Sequence, residues 1–125
     1  MRVLSVCLGN ICRSPTAEGV LRHKLREAGL ADQIEVASAG TGEWHVGQAP
    51  DKRSQAAAKL RGYDLSAQRA QQVTRADFAT YDLILALYFV MCLEIELHTS
   101  GALDGMIRAL QRLFASEKFT LAIMP

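Results

Sequence analysis

The feature that most constrains the fold of this chain lies near its N-terminus, over residues 3–15, which read VLSVCLGNICRSP. The run from Val3 to Val6 is short, uncharged and rich in β-branched residues, which predicts a buried strand. Ser14 as N-cap and Pro15 at the first helical position predict the start of a helix. A strand, a tight loop and a helix N-terminus in succession turn backbone N–H groups toward one point, where the helix dipole adds positive potential. We therefore expect an anion site in this loop.

The residues of the loop indicate the chemistry of that site. Cys7 ends the strand, and the amides, the helix N-terminus and the Arg13 guanidinium all favour its thiolate, which is a strong nucleophile. Arg13 can hold two oxygens of a phosphate through its planar fork. Gly9 allows close backbone approach, Asn10 tolerates a left-handed conformation, and Ser14 can donate its hydroxyl to the thiolate. The alternative, a small apolar Cys7 ending a strand with Arg13 on the surface, does not account for this combination.

The loop resembles the signature of a known family. Residues 7–18 read CLGNICRSPTAE and are close to the signature of the low-molecular-weight protein tyrosine phosphatases. The resemblance extends over about the first two-thirds of the chain, through residues 38–41, 44–47, 62–63, 74–78 and 81–86. It implies that Cys7 is the nucleophile, that Arg13 clamps the phosphate and stabilises the transition state, and that Ser14 donates a hydrogen bond to the thiolate.

The resemblance also implies a function. The chain would be a phosphotyrosine-protein phosphatase that hydrolyses aryl phosphate monoesters through a phosphocysteine, without metal or cofactor. The partner would be a phosphotyrosine protein or a small aryl phosphate, with a phosphate or sulfate anion in the loop. The backbone amides that form the anion cradle are those of Leu8, Gly9, Asn10, Ile11, Cys12 and Arg13.

The glycine-rich loop over residues 39–50 carries the chain's single tryptophan. An exposed Trp44 beside His45 can form an aromatic wall for a flat ligand, or Trp44 can simply cover the edge of the core. The residues alone do not separate these two interpretations. The resemblance favours the substrate wall, because family members have an aromatic residue here that lines the cleft.

Cys12 is a candidate redox partner of Cys7. The two cysteines lie five residues apart within one curled loop, so their sulfurs can come close enough to bond. A neighbouring thiol captures a sulfenic acid as a disulfide. The alternative is that Cys12 only packs under the loop.

The rest of the chain predicts alternating helices and strands. Helices are expected over residues 16–28 and 51–61, and a helical turn after Thr74. Strands are expected over residues 34–38, 83–87 and 119–123. Strands separated by helices indicate parallel pairing with right-handed crossovers. The predicted fold is therefore α/β and three-layered, with a four-stranded parallel sheet flanked by helices, in a single phosphatase-like domain over residues 1–125.

Composition excludes several classes of protein. The formal net charge of +1 gives no support for binding to nucleic acid or to a membrane surface. The longest apolar run, residues 83–93, is about half of what a bilayer span needs. Three cysteines, an odd number without metal-ligand spacing, are typical of reduced thiols. We therefore expect a soluble, cytoplasmic protein with no metal site.

After Leu87 the sequence departs from the family pattern. The family's Asp-Pro-Tyr loop, whose aspartate is the general acid, and its final helix have no counterpart here. Asp104 is the only aspartate beyond Asp82, and its position at a predicted helix entry is more typical of a capping residue. Gln68 takes the place of a family histidine. Lack of the final helix would leave one sheet face partly uncovered, which predicts a surface for self-association.

Three functions therefore stay open at this point. The first is a phosphatase, either fully active or impaired by loss of the general-acid aspartate. The second is a non-catalytic protein that binds phosphate or phosphotyrosine. The third is a thiol-based arsenate reductase, which needs further cysteines for a disulfide relay, whereas only Cys92 lies beyond the loop.

Overall fold

The computed structural model describes residues 1–87 and the backbone of a strand at 92–95. In this part of the chain the elements are, in order, β1 (Arg2–Cys7), α1 (Arg13–Glu27), β2 (Glu35–Gly40), α2 (Lys52–Leu60), α3 (Arg75–Thr80), β3 (Leu83–Leu87) and β4 (Cys92–Ile95). None of these helices is both long and apolar enough to cross a membrane.

The sheet has the strand order β2-β1-β3-β4. Strand β1 lies between β2 and β3 and pairs with both in parallel, which confirms the predicted α/β class with a parallel sheet. Strand β4, in contrast, is antiparallel to β3. Only residues 88–91 separate these two strands, whereas a parallel partner needs a crossover of a dozen residues or more. The parallel fourth strand predicted at 119–123 lies outside the described residues.

Helix α1 begins earlier than predicted. Its N-cap is Cys12, which makes no side-chain cap bond, so the prediction of Ser14 as N-cap is wrong and Pro15 is the third helical residue. The physical reason is that the Ser14 side chain is turned inward, with its Oγ 3.0 Å from the Sγ of Cys7. The Ser14 hydroxyl therefore contacts the Cys7 sulfur and does not cap the helix.

The other two helices in the described part of the chain are capped by residues at their ends. The Asp51 side chain accepts hydrogen bonds from two backbone N–H groups in the first turn of α2. Gly62 follows that helix with a φ of 85°, a conformation that favours glycine. At α3, the backbone N–H of Thr74 donates to Asp77 Oδ2 at 2.7 Å, as part of a capping box.

The core lies on both faces of the sheet because side chains of β1 alternate between them. The face covered by α1 has one apolar cluster, and the opposite face has another. The first contains Val3, Leu21, Leu25, Ile34, Val36 and Leu83, and the second contains Leu4, Val6, Ala39 and Ile84. A small cluster of Cys7, Ala17 and Leu87 continues the first toward the end of β1. The apolar core therefore extends up to the sulfur of Cys7.

One buried polar group in this core predicts a stabilising substitution. Ser5 is 1% exposed, and its Oγ has no hydrogen-bond partner in the described part of the chain. Because an unpartnered buried hydroxyl is unfavourable, we expect Ser5→Ala to raise the free energy of unfolding by about 1 kcal/mol. Urea denaturation measures this. Ser38→Ala is the matched control, since the Ser38 hydroxyl is also buried but hydrogen-bonded, and it should destabilise. A loss of stability in both variants would contradict the prediction.

Candidate active site

A pocket of about 150 Å³ opens where the loop between β1 and α1 curls around the end of β1. It lies at the carboxyl edge of the parallel strands, where ligands bind in open α/β sheets. The residues that line it are Cys7, Leu8, Gly9, Ile11, Cys12, Arg13, Trp44 and His45. The structure thus brings the predicted nucleophile, phosphate clamp and aromatic wall into one place. Asn10 and Ser14 do not line the pocket and are buried behind it.

Cys7 lies at the base of this pocket. Cys7 is 5% exposed, and its thiol is not part of a disulfide. The backbone N–H of Asn10 donates to its Sγ at 3.3 Å, and Ser14 Oγ is 3.0 Å from the same sulfur. These contacts give a thiolate two hydrogen-bond donors inside the protein.

Asn10 stabilises the loop between β1 and α1 through its backbone conformation and its side-chain hydrogen bonds. Its φ of 54° makes it the one non-glycine residue with positive φ in the described part of the chain, as the sequence predicts for this loop. Its side chain has a second role that the sequence did not reveal. The Nδ2 group donates to Ser14 Oγ at 2.8 Å and to Ser38 Oγ at 2.9 Å, while Oδ1 accepts from the backbone N–H of Gln71 at 2.9 Å.

Glu18 is a functional candidate that the sequence reasoning missed. It is 8% exposed, and its Oε2 accepts a hydrogen bond from Ser38 Oγ at 2.6 Å. Its Oε1 accepts from the Arg22 guanidinium at 2.6 Å, and that guanidinium also donates to the carbonyl of Val36. The available signal was helical spacing: Glu18 lies three residues before Leu21 on the apolar stripe of α1, where a carboxylate needs partners.

Arg13 lines the pocket at the start of α1. Its Nη1 donates to the backbone carbonyl of Leu87 at 3.2 Å, at the end of β3. This bond reaches across 74 residues of sequence and fixes one side of the guanidinium against the sheet. A planar guanidinium held in this way is oriented before a phosphate arrives.

Trp44 and His45 form one side of the pocket. Trp44 is 58% exposed, and its ring packs directly over Gly42, where any side chain would collide with it. His45 lies against Gly9, since a Cβ there would be 2.9 Å from His45 Cδ2, and its Nδ1 is 3.0 Å from Gln48 Oε1. More than half of Trp44 is exposed. Its exposed ring agrees with the substrate-wall interpretation.

Cys12 lies at the pocket rim and is exposed, so the alternative that it packs under the loop is wrong. Its Sγ accepts a hydrogen bond from Ser54 Oγ at 3.0 Å, in the first turn of α2. The same turn braces the loop, because the backbone N–H of Asp51 donates to the carbonyl of Ile11 at 2.7 Å. The N–H of Ser54 lowers the pKa of the Asp51 carboxyl, which keeps this cap charged.

Comparison with known proteins decides the family. The sequence profile described as "Low molecular weight phosphotyrosine protein phosphatase" matches residues 2–110. The chain belongs to this family. The low molecular weight phosphatase signature therefore coincides with the loop that forms the pocket.

Individual family members match this chain over different lengths. A low molecular weight protein-tyrosine-phosphatase of Streptomyces coelicolor is 40% identical over 117 residues, which is 94% of this chain and 62% of that protein. A solved tyrosine phosphatase from Entamoeba histolytica superposes with a TM-score of 0.69 at 39% identity, over 71% of this chain and 56% of the other. Vibrio vulnificus Wzb, solved in complex with benzylphosphonate, has a TM-score of 0.61 at 39% identity, over 68% and 56%. The chain thus spans between half and two-thirds of these relatives.

One side chain near the pocket and the composition of the pocket lining bear on the chemistry of this family member. Gln68 stands where the resemblance places a histidine, and its Nε2 donates to the carbonyl of Pro15 at 2.9 Å. Among the described residues that line the pocket, none is a carboxylate. Asp104, the weak candidate for a general acid, lies outside the described residues. Within those residues no group of His, Cys, Asp and Glu side chains is arranged to hold a metal ion.

Proposed function

We propose that this chain is a phosphotyrosine-protein phosphatase that hydrolyses aryl phosphate monoesters through a phosphocysteine. The observation that carries the proposal is the placement of Cys7 and Arg13 in one pocket, where the backbone N–H of Asn10 donates to the Cys7 sulfur at 3.3 Å. A thiolate and a planar cation around an anion site are the parts that phosphoryl transfer to sulfur requires. The complex of Vibrio vulnificus Wzb with benzylphosphonate, a phosphonate that carries a phenyl ring, supports a ligand of this chemistry.

The proposed reaction has two steps. The Cys7 thiolate attacks phosphorus, an S–P bond forms, and the bond from phosphorus to the aryl oxygen breaks with release of the phenolate, which takes a proton from water. Water then attacks phosphorus and releases inorganic phosphate and the thiolate. The amides of residues 8–13 and the Arg13 guanidinium bind the equatorial oxygens in both steps. Ser14 donates to the sulfur, which favours the thiolate both as attacking and as leaving group.

The aromatic wall supports an aryl substrate. Trp44 and His45 stand on one side of the pocket with ring centroids 6.1 Å apart. The exposed Trp44 face offers a stacking surface to a phenyl ring whose phosphate is bound in the loop. Offset or edge-on aromatic contacts of this type contribute about 0.5–1.5 kcal/mol each.

Steady-state release of phosphate from a phosphotyrosine peptide and from p-nitrophenyl phosphate tests the proposal. Hydrolysis that inorganic phosphate inhibits competitively supports it.

The second candidate, a non-catalytic phosphotyrosine binder, is favoured by the lack of a carboxylate among the described lining residues. It predicts saturable binding of the peptide with no phosphate released. Thiol-dependent reduction of arsenate would instead support the reductase, for which the described side chains supply only Cys7 and Cys12.

We also propose that Cys12 protects Cys7 from irreversible oxidation. Peroxide converts the Cys7 thiolate to a sulfenic acid, and the Cys12 thiol then attacks that sulfur, forming the disulfide and releasing water. We expect reversible inactivation by peroxide, with recovery by dithiothreitol about two-fold or more poorer in Cys12→Ser, because further oxidation competes with capture. Recovered hydrolytic activity after a fixed exposure measures this. Equal recovery in both proteins would remove the protective role.

We propose that the protein is cytoplasmic. The free state of Cys7 and Cys12 supports the cytoplasm, where thiols are kept reduced. Self-association through a sheet face remains a proposal that sedimentation would test.

A further inference from the structure

The indole of Trp44, which forms one side of the pocket, rests on Gly42. A Cβ at Gly42 would lie 2.6 Å from Trp44 Cε3 and closer still to Cζ3 and Cη2, whereas real Cβ atoms essentially never come within 3.0 Å of such neighbours. The six-membered ring of the indole therefore occupies the space that the glycine leaves. Trp44 is 58% exposed, so the ring also has solvent into which it can move.

Backbone conformation does not explain the glycine at position 42. The glycines with positive φ in the described part of the chain are Gly29, Gly47 and Gly62, and Gly42 is not among them. An alanine can therefore adopt the backbone angles of this residue without the strain that a positive φ imposes. The three atoms nearest to a Cβ at Gly42 all belong to Trp44. The indole is thus the group that a side chain here would meet.

The backbone at Gly42 is tied to the loop between β1 and α1. The N–H of Gly42 donates to the carbonyl of Leu8 at 2.8 Å, and the N–H of Thr41 donates to the carbonyl of Cys7 at 2.9 Å. Leu8 and Cys7 both line the pocket. Two backbone hydrogen bonds and one ring contact therefore set the place of the indole relative to the anion site.

We propose that Gly42 is a positioning residue for the aromatic wall and sets the preference of the site for aryl over alkyl phosphates. It lets the Trp44 indole lie where the ring contacts the aryl group of a ligand whose phosphorus is bound in the loop. The inference rests on the proposed function in taking an aryl phosphate as the ligand. Phosphonates test it without turnover, because their carbon–phosphorus bond is not hydrolysed.

Gly42→Ala tests the proposal. We expect this variant to fold, since the exposed indole can move away while the backbone stays in place. The readout is the Kd of methylphosphonate divided by the Kd of benzylphosphonate, measured by calorimetry. Both ligands carry the same charged group, so the ratio isolates the contribution of the phenyl ring. The wild type should prefer benzylphosphonate, and Gly42→Ala should lower the ratio about two- to tenfold, the range of one aromatic contact. A wild type without this preference, or an unchanged ratio in the variant, would overturn the proposal.

Two further variants show whether the effect passes through the ring. In a Trp44→Ala background, Gly42→Ala should not lower the ratio any further, because the ring that it displaces is gone. A further fall would show that Gly42 acts by another route. Glu43→Ala is the matched control, since Glu43 lies between Gly42 and Trp44 and is exposed. It should leave the ratio unchanged, and a fall equal to that of Gly42→Ala would contradict a specific role of the glycine.

Fluorescence gives a second readout, because Trp44 is the single tryptophan of the chain. In Gly42→Ala the emission should shift to longer wavelength and acrylamide should quench it more efficiently, since the displaced ring is more exposed. Unchanged emission and quenching would contradict the displacement.

The test survives a failure of folding or of turnover. If Gly42→Ala alone does not fold, its combination with Trp44→Ala should fold, because the steric conflict is removed. A combined variant that also fails to fold would overturn the proposal. Preferential binding of benzylphosphonate by a wild type that hydrolyses no aryl phosphate would refute the phosphatase and not this role.

Discussion

Cys7→Ser is expected to lower the steady-state rate of aryl phosphate hydrolysis by about 10⁴-fold or more, as loss of a catalytic nucleophile does. A serine hydroxyl at the base of the pocket stays protonated at neutral pH and does not attack phosphorus at a useful rate. The loop amides and the Arg13 guanidinium remain, so phosphate should still bind. The measurement pairs initial rates on p-nitrophenyl phosphate with calorimetric binding of inorganic phosphate.

Two other variants control this experiment. Cys92→Ser changes a cysteine outside the loop and should keep the wild-type rate. Arg13→Ala should lower the rate and also weaken phosphate binding, because the guanidinium lines the pocket. Comparison of the Cys7→Ser and Arg13→Ala variants therefore separates the loss of nucleophilic attack from the loss of phosphate binding. Hydrolysis by Cys7→Ser at the wild-type rate would rule out the phosphocysteine pathway.

The second large effect concerns the leaving group. A positioned general acid contributes about 10²–10⁴-fold, but only where the departing oxygen needs a proton. Tyrosine, with a phenol pKa of about 10, needs one, whereas an activated nitrophenolate leaves without help. Because the described pocket lining holds no carboxylate, we expect phosphorylation of Cys7 in the 125-residue chain to slow steeply as the leaving-group pKa rises. Breakdown of the phosphocysteine should slow as well, so a burst should precede turnover.

Single-turnover rates across a series of substituted phenyl phosphates measure this dependence. A steep decline with leaving-group pKa is the expected result. A flat series would show that another group donates the proton. Asp104→Asn would then be the first variant to examine, since Asp104 is the only aspartate after Asp82. If Asp104→Asn turned the flat series into a steep one, it would identify that residue as the acid.

The parts of the site that the sequence could predict are those set by neighbouring residues. The succession of strand, loop and helix around Cys7 depends on local chemistry, as does the positive φ of Asn10. The Asp51 cap and the apolar strand over residues 83–87 belong to the same class. In each case the interaction involves residues that are close together in the sequence, so the sequence pattern is enough to predict it.

The parts that the sequence could not predict depend on distant partners. Ser14 reads as an N-cap by local preference, but the packing of α1 on β1 turns its hydroxyl to Cys7 instead. The amide of Asn10 is oriented by Gln71, 61 residues later in the chain. Ser38, which links Asn10 to Glu18, is likewise contributed by a different element, β2. The local preference of Ser14 was overridden because its buried hydroxyl contacts the sulfur of Cys7 at the end of β1.

The most direct test of the central claim is detection of the covalent intermediate. The chain is mixed with excess p-nitrophenyl phosphate, quenched in acid within the burst, and analysed by intact-mass and peptide mass spectrometry, with Cys7→Ser in parallel. We expect one added phosphoryl group per chain, located on the sulfur of Cys7 and missing from the variant. Release of p-nitrophenolate in a burst without any phosphoryl group on Cys7 would contradict it.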